Sequence, residues 1–232
     1  MPPDKLKLLI LVPTRLEYNF LHPVVSATCP GDSVRVELCG FGPIAAAAQS
    51  ALFLARHQPE QVILVGIAGS LSDDFPVGTA CQFQFVACCG VGAGTGDNHV
   101  SAEQMGWKHW APMDIFSSPG EIGDKLALQS TPCGDVPASL LLTSCAASAS
   151  DADVQLRLRQ FPDAVAEDME GFGVAVACHL AGVPLQIVRG ISNRAGDRVH
   201  GGWKVQESLA AAAELLVRHL RLPGCKVAAQ QL

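Results

Sequence analysis

Carboxylates standing where apolar runs give way to loops are the residues of this chain best placed to do chemistry. Glu17 lies in Pro13-Thr14-Arg15-Leu16-Glu17, directly after the first such run. Turned inward it could act as a general base; turned outward it is an acid favoured by the dipole at a helix start. A denser group, Glu167-Asp168-Met169-Glu170, precedes the apolar stretch 171–180. Burying Glu170 there costs free energy unless it has strong partners, and a ligand with paired hydroxyls would supply them. Asp168 reads equally well as an acid at a helix N-terminus. Ser192 and Asn193 follow the last strong apolar run, where a hydroxyl and an amide can read a ligand. Gly66-Ile67-Ala68-Gly69-Ser70 also closes an apolar run. Its small residues, Ala68 and Gly69 among them, let backbone approach a ligand, and free N–H groups there could hold an oxyanion or a water.

Other patterns point to less. Gly40-Phe41-Gly42-Pro43-Ile44-Ala45 fits the dinucleotide-binding spacing. That fingerprint needs an acid at the end of the next strand, where this chain has Val65-Gly66, so a tight strand-to-helix turn is the better reading. A phosphate loop around residues 66–70 would want Lys or Arg beside it, and Ile67 offers neither. Asp197 and Arg198 read as a surface pair of little energetic worth. His99, His109, His200 and the three tryptophans show no metal-ligand spacing and read as structural or surface residues; no metal site is implied. Nine cysteines form no CxxC pair, and their odd number argues against complete pairing; free thiols in a reducing cytosol are expected.

The elements that must position these residues follow from hydrophobic patterning. Runs at 6–12, 34–38, 61–66, 81–88, 139–143 and 184–191 read as strands. The stretches 43–57, 152–160, 171–181 and 204–220 read as helices, with Gly182-Val183-Pro184 and Pro223-Gly224 as stops. Near-continuous apolar strands mean a sheet covered on both faces, an α/β architecture. Gly90 to Gly96 reads as a long mobile loop, and 119–137 as a second loop-rich region. With no linker or repeat, residues 1–232 read as a single domain. The net charge of -6 and the lack of a Lys/Arg cluster argue against nucleic acid as partner. No apolar run is long enough for a signal core or a membrane span. A cytoplasmic protein with a small-molecule partner is expected.

Taken in order, Glu17, Gly-x-Gly-x-x-Ala-Ala-Ala at 40–47, Gly-x-Ala-Gly at 66–69, Phe-Pro-x-Ala-x-Ala-x-x-Met-Glu at 161–170 and Ile-Ser-Asn at 191–193 resemble the nucleoside phosphorylase and hydrolase superfamily. The resemblance runs from Leu6 to about Leu220 and is nearest to its hydrolase branch, the methylthioadenosine/S-adenosylhomocysteine nucleosidases and futalosine hydrolases. It implies a three-layer α/β/α fold with a central mixed sheet, no cofactor, a purine nucleoside as substrate, and a homodimer or larger homo-oligomer. Glu17 would activate the attacking water, Met169 and Glu170 would grip the ribose, Phe161 would stack on the purine, and Asn193, supported by Ser192, would meet the leaving base. Adenine-releasing members look to have Asp at the Asn193 position. An amide cannot give up a proton but can donate and accept hydrogen bonds, which suits a 6-oxopurine. With Gly-Asp-Arg and Trp203 following, the pattern is similar to futalosine hydrolases, which release hypoxanthine in a route to menaquinone. Arg15 or Arg198 would meet the carboxylate of futalosine's sugar-side chain. Rival readings are an adenine nucleosidase, a phosphorylase and a nucleoside-binding module without turnover.

Overall fold

Strand β1 (Leu8–Val12) is buried at every position because helices cover both of its faces. Leu9 and Leu11 pack with Ala46, Leu54, Val174 and Cys178, whereas Leu8, Ile10 and Val12 pack with Leu21, Val25, Leu209 and Leu216. The same alternation divides Val62 and Leu64 from Ile63 and Val65, as the period of two along a strand requires. The computed structural model describes residues 6–113, 119–128 and 139–221.

The chain continues from β1 through α1 (Arg15–Thr28), β2 (Val34–Leu38), α2 (Pro43–His57), β3 (Gln61–Ser70), β4 (Ala80–Gln82) and β5 (Phe85–Cys89). The short strands β6 (Gly92–Ala93), β7 (Val100–Ser101) and β8 (Lys125–Ala127) follow, then β9 (Leu140–Ser144) and α3 (Asp151–Gln160). β10 (Ala164–Asp168), α4 (Gly171–Ala181), β11 (Leu185–Arg194) and α5 (Val205–Leu220) complete it. The main sheet runs β2-β1-β3-β10-β9-β5-β8, with β11 pairing β3 and β4. β1 pairs β3 in parallel and β10 pairs β3 antiparallel, so the sheet is mixed. α2 and α4 cover one face; α1 and α5 cover the other, where α3 packs Val154 and Leu158 on Leu140 and Leu142. The architecture is therefore α/β with helical layers on both sides of the sheet.

The expected bounds of β2, α2 and α4 match the structure. The run 81–88 is two strands rather than one. Phe83 N still donates to Ile187 O at 3.1 Å, but Phe85 N donates to Ser139 O at 3.1 Å, so the chain changes pairing partner between them. The segment 90–96, expected as a loop, contains β6, paired with β7, and runs into a 3-10 turn at Gly96–Asn98. Part of the loop region 119–137 is the strand β8, residues 129–137 of it lie outside the described residues, and so does the expected stop at Pro223-Gly224.

Candidate active site

Glu17 turns inward. It is the N3 residue of a capping box that starts α1: Thr14 N and Oγ1 donate to Glu17 Oε2 at 2.9 and 2.5 Å, and Glu17 N donates to Thr14 Oγ1 at 3.4 Å. Its other oxygen, Oε1, accepts from Ile67 N at 2.9 Å, tying the helix start to β3. The helix-start and general-base readings therefore describe one side chain. The cap fixes the carboxylate, and Oε1 keeps a second lone pair for a water or ligand.

Asp168 and Glu170 bracket the turn from β10 into α4 and face Arg189 of β11, a residue with no exposed surface. Arg189 donates to Asp168 Oδ2 through Nε at 3.1 Å and Nη2 at 2.5 Å, and Nη2 reaches Glu170 Oε2 at 3.3 Å. Asp168 also accepts from Thr143 Oγ1 at 2.6 Å and from Gly171 N at 2.9 Å, so it does serve the α4 N-terminus. Glu170 Oε1 accepts from Gly42 N at 3.0 Å, drawing the Gly40–Gly42 turn over the site. Burial pushes the Glu170 carboxyl up to about 7, with the Arg189 charge pulling the other way and Asp168 adding to the rise. Arg189 Nη1 is buried without a hydrogen-bond partner among the described residues. A Cβ added at Gly66 would collide with that Nη1 and come within 2.6 Å of Glu17 Oε1. The glycine thus makes room for the meeting of Glu17 and Arg189, not for a ligand.

Residues 66–70 are not a free anion-binding loop. They extend β3 and pair with β11 as far as Arg194, and Ile67 N–H is given to Glu17. The register of β11 slips between Ile191 and Asn193, leaving Ser192 as the extra residue of a bulge, a device that re-aims a side chain. Ser192 Oγ lies 2.7 Å from Asn193 Oδ1, and Asn193 Nδ2 donates to Arg194 O at 2.7 Å. With Oδ1 held by the hydroxyl, the second Nδ2 hydrogen remains for a ligand.

These groups share one cavity of about 480 Å³, within the usual range for small-molecule sites. It is lined by Glu17, Ala68, Gly69, Met169, Glu170, Ser192 and Asn193, all expected from sequence, and also by Phe41, Arg198 and Trp203. Arg198 sits over the Trp203 ring at 5.2 Å, and His200 packs on the same ring at 4.5 Å between centroids. Among the described residues, no group of His, Cys, Asp and Glu side chains is arranged to hold a metal ion.

Residues 13–82 and 120–222 match the family model of the Phosphorylase superfamily. The chain belongs to that superfamily. Among curated relatives of this superfamily chain, futalosine hydrolase of Streptomyces coelicolor is 30% identical, with 75% of this chain and 73% of the relative covered. The 5'-methylthioadenosine/S-adenosylhomocysteine nucleosidase of Shewanella oneidensis is 27% identical, covering 75% and 72%. In fold, the native structure of futalosine hydrolase from Helicobacter pylori strain 26695 superposes with a TM-score of 0.70 at 16% identity, covering 94% of this chain and 99% of that one. The adenine complex of the Colwellia psychrerythraea 34H nucleosidase gives 0.70 at 18% identity, covering 94% and 95%.

Phe161 does not join the cavity of this superfamily member. It packs with Val154 and Leu158 on the Ala87, Leu140, Leu142 and Ala164 cluster, so stacking on a ligand is withdrawn for it. At the foot of α3 its ring is more useful as core. Arg15 is likewise not among the lining residues, whereas Arg198 is. Sequence reasoning named Glu167 in the acid cluster without giving it a role, read His200 as structural or surface, and missed Ala147 and Ser148 of the lining and Arg189 behind it. A lone Arg inside an apolar strand was the available signal for Arg189, since a charge is almost never buried there unless paired.

Proposed function

We propose that this chain is an N-ribosyl hydrolase that releases hypoxanthine from futalosine, acting in the cytoplasm in the futalosine route to menaquinone. The observation that carries the reading is one cavity holding Glu17, Glu170 and Asn193 from three distant segments, with the donor of an amide rather than an acid at the end of β11. The relatives' names favour the same chemistry, and the S. coelicolor relative favours the substrate.

Cleavage of an N-riboside passes through an oxocarbenium-like sugar, as in glycoside hydrolysis. The bond from C1′ to the purine nitrogen breaks, its electron pair leaves with the base, and a water oxygen bonds to C1′. Glu17 Oε1 takes the proton of that water. Glu170 accepts hydrogen bonds from ribose hydroxyls and sets negative charge beside the cationic sugar, with Met169 packing against it. Asn193 Nδ2 donates to the imidazole edge of the departing base, which then picks up a proton from solvent. Ala68 and Gly69 form a floor that lets the ring approach the sheet.

Arg198 carries no carboxylate partner among the described residues and lies on an aromatic wall. That combination suits an anionic aromatic chain on the sugar. Phe41, Ile44 and Leu52 are 66%, 81% and 62% exposed at and beyond the start of α2, and Phe41 also lines the cavity. We read this apolar face as the contact of a homodimer or larger homo-oligomer. The deciding experiment is a base-release assay with futalosine, inosine and methylthioadenosine, with and without phosphate. Hypoxanthine release from futalosine, independent of phosphate and faster than adenine release from methylthioadenosine, is the expected result. Adenine release as the dominant activity would overturn the substrate, and a phosphate requirement would overturn hydrolysis.

A further inference from the structure

Arg189 is divided unequally between two carboxylates of the cavity. Asp168 Oδ2 takes its Nε at 3.1 Å and its Nη2 at 2.5 Å, whereas Glu170 Oε2 has only a share of that same Nη2 at 3.3 Å. The favoured carboxylate is braced in place. Thr143 Oγ1 of β9 donates to Asp168 Oδ1 at 2.6 Å, and Gly171 N at the start of α4 donates to Oδ2 at 2.9 Å. Arg189 has no exposed surface, so solvent screens this choice little.

Glu170 meets charge from several elements. Arg189 on β11, Asp168 on β10 and Glu17 on α1 act on it, the Cys39 thiol after β2 lies within the same field, and Gly42 N at the start of α2 donates to Oε1 at 3.0 Å. Glu167, Arg198 and His200 line the same cavity. Glu17, Asp168 and Glu170 are all buried, and one guanidinium cannot offset three carboxylates at once. Glu17 has donors of its own in Thr14 N, Thr14 Oγ1 and Ile67 N. The shortfall therefore falls on Glu170, held by one backbone N–H and a shared guanidinium hydrogen, and burial pushes its carboxyl up to about 7.

We infer that Asp168 is a positioning residue that keeps Arg189 from neutralising Glu170, so that the charge of Glu170 is left for the cationic sugar. The inference rests on the reading of the cavity as an N-riboside site. A carboxylate with a close cation ionises readily, but that cation cancels most of its field. A carboxylate without one ionises at higher pH and keeps its field for charge that develops on a substrate. By holding two of the guanidinium donors, Asp168 selects the second state for Glu170. The acid limb expected of the reaction is then a consequence of how Arg189 is divided, and not of burial alone.

The test follows kcat and kcat/KM for futalosine and inosine against pH in the wild type, Asp168→Asn and Asp168→Glu. In Asp168→Asn the guanidinium is free to pair with Glu170. Its acid limb should move down by at least about one pH unit, as for a carboxylate that gains an arginine. Its plateau kcat should still fall by about tenfold or more, because the charge facing the sugar is now neutralised. Asp168→Glu keeps the competing charge and should keep the wild-type limb. A purely structural role would lower the plateau and leave the limb in place in Asp168→Asn; that result, or a limb that moves up, overturns the inference. Should Asp168→Asn not fold, nuclear magnetic resonance of the wild type decides, read on the Nε–H of the fully buried Arg189. Bonded to Asp168, that proton should stay downfield of a free guanidinium on both sides of about pH 7. Its return upfield as Glu170 ionises would show the guanidinium changing partner and would overturn the inference. A protein that cleaves no nucleoside refutes the hydrolase reading, whereas cleavage with an unmoved limb in Asp168→Asn refutes this inference alone.

Discussion

Arg189 grips Asp168 through two donors, Nε and Nη2, with both side chains sealed from solvent. Such a pair is poor evidence of net stabilisation, but breaking it is costly because the orphaned charge stays buried. Arg189→Met leaves Asp168 and Glu170 facing apolar surroundings. It should lower unfolding free energy in urea by about 3–5 kcal/mol, and by less at acid pH, where the stranded carboxyls take up protons. A loss under about 1 kcal/mol would mean that solvent reaches the pair.

Glu170 sets the expected pH dependence. Burial raises its carboxyl from 4.5 to about 7, so between those values the folded protein keeps a proton that the unfolded chain has lost. Stability from this group is therefore greatest in acid and declines as pH rises through that window, with the cost fully present above about 7. Activity should run the other way. The ionised form opposes the cationic sugar, so kcat/KM should climb with pH and level off above about 7, and Glu170→Gln should remove that limb along with most of the activity. A wild-type profile that is level from roughly pH 5 to 8 contradicts this role.

The sheet and the cavity were legible to different degrees. β1 and β3 announced themselves because strands covered on both faces are apolar at nearly every position, and the edge strand β2 because Val34, Val36 and Leu38 alternate with Arg35 and Glu37. α1 did not read as a helix, since Pro23 lies inside it and its buried residues, Glu17, Leu21 and Val25, include an acid. Glu17, Glu170 and Asn193 could be found because each stands at an element end with a chemistry its position does not demand. Phe161 was misplaced for the converse reason: an aromatic near the acid cluster in sequence lies at the foot of α3, while the cavity wall there is made by Ala147 and Ser148. Arg189 and Glu167 sit inside strands, and only the register shows which residues they oppose.

Gly66 offers a test of the catalytic geometry that removes no charged group. A methyl there overlaps Arg189 Nη1 and presses on Glu17 Oε1 and Pro13 Cδ, at 2.6 and 3.2 Å. Gly66→Ala should displace the Glu17 carboxylate or the guanidinium by a fraction of an ångström to an ångström, and such misplacement costs about a hundredfold in rate. The overpacking should also remove about 1–3 kcal/mol of stability. Steady-state kinetics with a urea titration read both. Unchanged kcat would mean that Arg189 Nη1 and Glu17 Oε1 need not meet at this point.

Asn193→Asp separates stabilisation of the leaving base from its protonation. Ser192 Oγ, 2.7 Å from Oδ1, can hold a carboxylate as well as an amide, so the geometry should survive. What changes is the group aimed at the purine. An ionised Asp repels the electron pair arriving on hypoxanthine, and losing one donor of this kind typically costs about a hundredfold to a thousandfold. A protonated Asp can instead deliver a proton to an adenine leaving group. Hypoxanthine release should therefore fall steeply near neutral pH and recover in acid, while the ratio of adenine to hypoxanthine release rises above that of the wild type. If the variant kept the wild-type ratio at every pH, the amide would not be the group that receives the departing base, and the choice of a 6-oxopurine would need another origin.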